Sequence, residues 1–160
     1  MDMRLGLLLL TGLLSACTLV VEPAGLSLTY RLDFGRAILR FEPDRGPGGV
    51  YHLGEEVRFL LTLAEPGWVA LFVEDPDGRT YGLDRFYLAR GTHVLPPGAY
   101  RYTLVPPRGL HRVWAVYTDQ APTALRLEGV YRDFEGVLRL YLEAAQARRH
   151  DRAETFFYLR

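Results

Sequence analysis

The side chains able to do chemistry in this 160-residue chain are few, and they are scattered along the sequence. No two of the four histidines have the spacing of a helical or short-loop metal site. The chain has a single cysteine, no Gly-x-Ser-x-Gly elbow and no phosphate-binding loop. We therefore predict no catalytic residues, no metal site and no cofactor. The histidines are His52, His93, His111 and His150.

Three carboxylates come close together in the sequence, at Asp75, Asp77 and Asp84. The first two belong to the segment Asp75-Pro76-Asp77-Gly78. Proline presets φ and glycine accepts a positive φ, so this pattern is typical of a tight turn. A calcium loop is the alternative interpretation. The segment lacks the regularly spaced oxygen ligands and the closing Glu of an EF-hand, which favours the turn.

Aromatic residues are abundant, with ten Tyr, eight Phe and two Trp. Exposed rings could stack on the sugar rings of a glycan or anchor a protein interface. β-Sandwiches also use Tyr and Phe in their cores and in cross-strand pairs, which is the structural alternative. The candidate binding aromatics are those that cluster in the middle of the sequence: Tyr81, Phe86, Tyr87, Tyr100 and Tyr102.

The first residues of the chain have the organisation of an export signal. A short polar start is followed by an apolar run over residues 5–14, which is too short to span a bilayer. The next residues, Leu14-Ser15-Ala16-Cys17, resemble the lipobox of bacterial lipoproteins. The resemblance implies cleavage before Cys17 and attachment of lipid to its sulfur. Because Thr18 rather than Asp follows the cysteine, an outer membrane is favoured where the cell has one.

These boundaries divide the chain into three parts. Residues 1–16 are predicted to be a signal peptide, residues 17–25 the lipidated cysteine and tether, and residues 26–160 a single domain. The nineteen basic residues, all Arg, match nineteen acidic ones, so the net charge is zero and no nucleic-acid partner is expected. A single cysteine leaves no internal disulfide, so packing must stabilise the domain. Few amide side chains and many Arg are compatible with a thermophilic source.

Alternating apolar and polar residues predict strands along most of the domain. The run from Trp68 to Val73 is almost wholly apolar, which indicates a central strand buried on both faces. Short strands at this spacing, joined by Pro/Gly turns, predict an immunoglobulin-like antiparallel β-sandwich. The predicted strands are Leu26–Phe34, Ala37–Glu42, Val57–Leu63, Trp68–Val73, Arg79–Leu83, Tyr100–Leu104 and His111–Tyr117.

The C-terminal region changes to a helical period. Apolar residues at helical spacing predict one helix from about Phe134 to Arg149, with Asp133 as its N-cap. The basic residues of Arg148–His150 would then lie at the end of the helix dipole that favours cations. Thr155–Leu159 has the composition of a final strand.

Two segments of this domain resemble one protein family. Tyr51–Phe59 and Pro66–Gly78 are similar to the family called domain of unknown function 4384. The shared pattern is a Gly-aromatic pair, a buried strand and an Asp-x-x-Gly-like turn within residues 51–118. The resemblance implies a fold and an envelope location. It implies no activity.

These observations together predict a membrane-anchored envelope lipoprotein that acts as a non-catalytic interaction module. Its expected partners are the membrane, through lipid on Cys17, and an envelope protein or a peptidoglycan or glycan component. A structural accessory subunit of an envelope complex and an envelope enzyme of unrecognised type are the alternatives. An interaction module should expose an aromatic patch, whereas an enzyme should have a pocket with converging polar groups.

Overall fold

The computed structural model describes residues 36–122 and 129–160, and in these ranges the chain forms a β-sandwich with one helix. The mainly β class, the C-terminal helix and the final strand predicted from the sequence are confirmed. The elements are β1 Ile38–Pro43, β2 Gly49–Tyr51, β3 Glu56–Val57, β4 Phe59–Leu63, β5 Gly67–Glu74, β6 Thr80–Leu88, β7 Gly91–Leu95, β8 Tyr102–Thr103, β9 Gly109–Thr118, β10 Val130–Tyr131, α1 Phe134–Ala145 and β11 His150–Leu159.

Two sheets form the layers of the sandwich. One has six strands in the order β10-β6-β5-β9-β11-β2, and the other has three in the order β1-β4-β7. A small two-stranded sheet pairs β3 with β8. The strands pair antiparallel except β2, which runs parallel to the end of β11. We call the face of the six-stranded sheet toward the three-stranded sheet its inner face, and the opposite face its outer face.

The main core lies between the two sheets, and strand alternation fills it. Phe59, Leu61 and Leu63 point inward from β4 and are fully buried. Val69 and Leu71 face them from β5, in the middle of the six-stranded sheet. Each such side chain contributes about 1.5–3 kcal/mol when it leaves water. The core therefore stabilises the domain without a covalent cross-link.

Helix α1 covers part of the outer face and creates a second, smaller core. Phe72 of β5 contacts the rings of Phe134 and Tyr141 at centroid distances of 6.0 and 5.7 Å. Trp114 of β9 stacks on Phe134 at 4.1 Å. Because α1 lies on one face and the three-stranded sheet on the other, β5 is buried on both faces. This confirms the prediction for Trp68–Val73, although Trp68 itself remains half-exposed.

The predicted C-terminal boundary of the helix is wrong. Helix α1 ends at Ala145, where Gln146 takes a left-handed conformation with φ of 49°. The N–H groups of Arg148 and Arg149 donate to the Asp119 carboxylate, both at 3.1 Å, instead of continuing the helix. The last turn of α1 contains no basic residue, so the predicted contact of Arg148–His150 with the helix dipole does not occur.

The final strand is twice as long as predicted, because it begins at His150 rather than at Thr155. The charged first half, Asp151–Glu154, pairs with β9 residue by residue along its whole length. The alternation of apolar and polar residues is weak in this half of the strand, since neither of its faces is strongly apolar. The long partner strand β9 supplies the pairing that the local sequence does not indicate.

Three other strand boundaries differ from the predictions. Val57–Leu63 is two strands, because the backbone N–H of Arg58 donates to the Asp44 carboxylate and its carbonyl accepts from the Asp44 N–H. The return strand predicted over Arg79–Leu83 continues to Leu88. Its pairing with β5 is interrupted by a bulge between Gly82, the partner of Phe72, and Asp84, the partner of Leu71. Of Tyr100–Leu104, only β8 is strand.

Several predictions fall outside the described residues. These are the lipidation site Cys17, the lipobox residues Leu14, Ser15 and Ala16, the tether, and the strand Leu26–Phe34. Over residues 36–122 and 129–160, no helix has the length and apolar character needed to cross a bilayer.

Candidate functional site

The five aromatic residues predicted as binding candidates do not form one surface. Tyr81 and Phe86 of β6 lie on the inner face and pack against the main core, as does Tyr102 of β8. Tyr102 also approaches the Phe59 ring at 6.3 Å. These three rings therefore stabilise the sandwich and are half-buried.

The other two candidates are exposed, but they lie apart from each other in the fold. Tyr87 is on the outer face, where its ring meets Trp68 edge-on at 5.5 Å. The guanidinium of Arg85 lies over the same Trp68 ring at 5.5 Å. Tyr100 is in the loop between β7 and β8 and is 72% exposed. Alternation along β6 sends Tyr87 to the face opposite Phe86, which separates neighbours in sequence.

The third carboxylate of the predicted acidic group, Asp84, is near Tyr102. The Tyr102 hydroxyl lies 3.5 Å from Asp84 Oδ2, at the limit of a hydrogen bond. Burial, and then the negative charge of Asp84, raise the pKa of Tyr102. The phenol therefore stays protonated at neutral pH and acts as a hydrogen-bond donor.

The Asp75-Pro76-Asp77-Gly78 segment forms the predicted turn. Asp75 Oδ1 accepts hydrogen bonds from the N–H groups of Asp77 and Arg79, at 2.9 and 3.0 Å. Asp75 Oδ2 accepts from the Arg79 side chain at 3.1 Å. Both oxygens are thus used inside the turn. Among residues 36–122 and 129–160, no group of three or more His, Cys, Asp or Glu side chains is placed to hold a metal ion.

Of the four histidines, His111 is the one that belongs to the core. Its ring is buried and stacks almost parallel on Phe157 at 5.1 Å. Its Nδ1 lies 3.2 Å from the Gly109 carbonyl. Burial lowers the pKa of His111, because the charged imidazolium would lose its hydration. The ring is therefore a neutral packing element at physiological pH.

An exposed apolar strip crosses the end of the outer face that α1 leaves uncovered. Tyr158 of β11 is paired with Val50 of β2 on one side and with Leu110 of β9 on the other. Phe156 is two residues before Tyr158 on the same face. The two rings meet edge-to-face, with centroids 6.1 Å apart and planes at 89°. We define Val50, Leu110, Phe156 and Tyr158 as the apolar strip.

The apolar strip is exposed because of its position at the edge of the sheet. Phe156 is 38% exposed and Tyr158 is 42% exposed, whereas Phe157 between them is buried in the main core. One side of the Phe156 ring is close to the backbone of Gly48, whose absent side chain leaves room for the ring. The strip is therefore positioned by strand pairing on both sides of β11 and by packing against Gly48.

A cleft with a volume of about 390 Å³ adjoins the apolar strip on the outer face. The stacked rings of Trp114 and Phe134 form its apolar part, where α1 begins above β9. Glu154 lines the cleft from β11 and is two residues before Phe156 on the same face of that strand. Because this spacing corresponds to roughly 7 Å along a strand, the cleft and the strip form one continuous surface.

The polar lining of the cleft is mainly acidic. Its four carboxylates belong to Glu74, Asp133, Glu135 and Glu154, and its one guanidinium belongs to Arg152. Arg152 pairs with Glu135 at 2.6 Å, and Asp133 accepts the Gly136 N–H at 2.6 Å as the cap of α1. These side chains offer ion pairing and hydrogen bonding. The lining contains no histidine, serine or cysteine.

Arg112 connects the cleft to the apolar strip. It is paired with Phe156 on β11 and with Glu74 on β5. Its guanidinium lies 3.9 Å from both Glu74 and Glu154, at the outer limit of an ion pair. We call the apolar strip, Arg112 and the cleft together the outer-face surface. It joins exposed aromatic rings to charged groups, of which Arg112, Glu74 and Glu154 are only loosely paired with one another.

The sequence predictions missed this surface. The alternation of Phe156 and Tyr158 with Phe157 and Leu159 shows that the two sets face opposite ways. It does not show which set is covered. The parallel pairing with β2 and the position of α1 decide that, and both depend on residues far away in the chain.

Comparison of the chain with known proteins finds no matching family model, no matching curated protein and no matching solved structure. The resemblance to the domain of unknown function 4384 family therefore stays a prediction.

Proposed function

We propose that this protein is a non-catalytic interaction module of the bacterial envelope, anchored to a membrane by lipid on Cys17. In this proposal, the domain binds an envelope protein or a cell-wall component through its outer-face surface. The observation that carries the proposal is the apolar strip beside the cleft, because large exposed apolar side chains grouped on one face are typical of binding sites.

The chemistry of the cleft supports binding rather than catalysis. Its carboxylates are engaged with Arg152, Arg112 or the first turn of α1. Such groups can orient a ligand and select it by charge. The rings of Phe156 and Tyr158 supply apolar contact area with little loss of side-chain entropy, which is what an interface anchor requires.

Affinity capture after cross-linking in the cells that produce the protein tests this proposal. We expect the wild-type protein to capture a specific envelope component. The double variant Phe156→Ser with Tyr158→Ser should lose it, because the apolar anchors are removed. Leu39→Ser, which changes an exposed apolar side chain elsewhere, is the matched control and should retain it.

Cys17→Ser adds a test of the anchor in the same experiment. If capture depends on the membrane location, this variant should lose the component as well. A wild-type protein that captures nothing, or a strip variant that captures as well as the wild type, would contradict the proposed function. Capture lost equally in Leu39→Ser would point to a structural subunit with a broad contact face.

A further inference from the structure

We infer that the partner on the outer-face surface is a protein segment that carries basic residues next to an apolar side chain. This inference rests on the proposed function and adds to it the chemical class of the partner. It follows from two properties of the surface, the geometry of the apolar strip and the charge of the adjoining cleft.

The geometry of the strip favours a polypeptide over a glycan. Sugar rings stack on the open face of an aromatic ring. Phe156 and Tyr158 stand at 89° to each other, so they do not form a common flat platform for successive sugars. The two perpendicular rings, with Leu110 and Val50 beside them, form an uneven apolar surface. Such a surface suits contact with one inserted aliphatic or aromatic side chain of a protein.

The charge of the cleft selects the residues that flank this inserted side chain. Four carboxylates line the cleft against the single guanidinium of Arg152. Even with Arg112 counted, acidic groups exceed basic ones on a chain whose net charge is zero. The positive end of the α1 dipole offsets only part of this excess. An incoming Arg or Lys would therefore be favoured, and an incoming Asp or Glu would be repelled.

The distances on the surface allow both contacts to be made by one segment. Glu154 and Phe156 lie on the same face of β11, two residues apart, and Glu74 lies across β9 from them. A partner segment with an apolar residue and a basic residue within a few positions would reach the strip and the cleft together. Arg112 would then lose its 3.9 Å contacts with Glu74 and Glu154 and would lie at the edge of the bound segment.

Site-specific photo-cross-linking of the full-length protein in its own cells tests this inference. A benzoylphenylalanine side chain is placed at position 156, and at position 94 as control. Val94 is also exposed, but it lies on the three-stranded sheet. We expect a cross-link at position 156 and none at position 94. Mass spectrometry should map it to a partner protein segment with Arg or Lys beside an apolar residue.

Charge variants test the electrostatic part. Glu74→Gln with Glu154→Gln should lower the cross-linking yield at position 156 by roughly three- to tenfold, because the attraction to the basic residue is weakened. Glu56→Gln with Glu143→Gln makes the same change in net charge outside the cleft and should leave the yield unchanged. Raising the salt concentration from about 0.05 M to about 0.5 M in isolated envelopes should also lower the cross-linking yield at position 156, because salt screens the same attraction.

The outcomes separate the inference from the proposed function. A cross-link at position 156 to a sugar, to a second copy of this chain or to a segment without basic residues would overturn the inference and leave the interaction module intact. Equal yields from the two charge pairs would also overturn it. Thermal melting of each variant is the control for folding. For a variant that melts like the wild type, a lower cross-linking yield reports a weaker contact at the outer-face surface.

Discussion

Gly67 and Tyr117 pack so closely that the fold leaves no room for a methyl group on Gly67. Gly67 begins β5, and a Cβ added there would overlap the Tyr117 ring and lie 2.7 Å from its hydroxyl oxygen. That hydroxyl donates to the Pro66 carbonyl at 2.9 Å, which prevents the ring from moving aside without losing a hydrogen bond. Burial, and then the nearby Glu65 carboxylate, raise the pKa of Tyr117 to about 12, so the donor remains protonated. We expect Gly67→Ala to lower the free energy of unfolding by about 1–3 kcal/mol.

Urea denaturation of a double-mutant cycle measures this effect. Tyr117→Leu alone leaves a cavity and should destabilise the domain, since the tyrosine is buried. Combined with Gly67→Ala, it removes the ring that the new methyl group would meet. The double variant should therefore be more stable than the sum of the two single effects predicts. Strict additivity would show that Gly67 is required for a different reason.

His111 makes the stability of the domain depend on pH. Burial lowers its pKa in the folded state, whereas the unfolded chain keeps a value near 6.5. The unfolded state therefore binds more protons just below pH 6.5. The contribution of His111 is complete above that pH, and it is lost as the pH falls toward the lowered pKa. We expect the free energy of unfolding to decrease between about pH 7.5 and about pH 5.

Substitution identifies the source of this pH dependence. His111→Gln keeps a polar side chain beside the Gly109 carbonyl but cannot titrate. The free energy of unfolding should therefore change less steeply with pH, even if the variant is less stable overall. His52 is exposed, and His52→Gln is the matched control that should preserve the slope. If the His111 variant retained the full slope in urea denaturation at several pH values, another titrating group would have to be responsible.

At the scale of elements, α1 depends on its first turn. Asp133 is extended, and its Oδ1 accepts the Gly136 N–H at 2.6 Å, which satisfies one of the free donors at the helix start. Asp133→Ala should lower the free energy of unfolding by about 1 kcal/mol in thermal or urea denaturation. Asp133→Ser retains a capping oxygen and should lose much less. Equal losses from the two variants would mean that Asp133 contributes through its charge in the cleft.

The two ends of α1 differ in how far the sequence predicts them. The start is local, because Asp133 and the apolar stripe that follows it are enough to predict it. The end is not local, because the carboxylate that receives the N–H groups of Arg148 and Arg149 belongs to Asp119 at the end of β9. A run of good helix-forming residues therefore stops earlier than its composition suggests.

At the scale of the whole molecule, alternation and turn residues predict the sandwich, and pairing between distant strands decides its surface. The buried central strand β5 and the Asp75–Gly78 turn are predicted correctly because both depend on neighbouring residues. The exposure of Phe156 and Tyr158 is not predicted, because it depends on the short parallel strand β2 from the other end of the domain. For the same reason the predicted aromatic cluster is divided, with Tyr81 inside and Tyr87 outside.

The anchor proposed at Cys17 decides where this surface can act, and it can be tested independently of any partner. Each buried methylene of an acyl chain contributes about 0.8 kcal/mol, so two or more chains hold a protein whose net charge of zero gives it no overall attraction to anionic lipid. We expect wild-type protein to incorporate labelled palmitate and to partition into detergent. Cys17→Ser should do neither, and should remain an uncut precursor or become soluble. Thr18→Ser alters the neighbouring residue and should behave as wild type. Labelled, membrane-bound Cys17→Ser protein would refute lipidation at this cysteine.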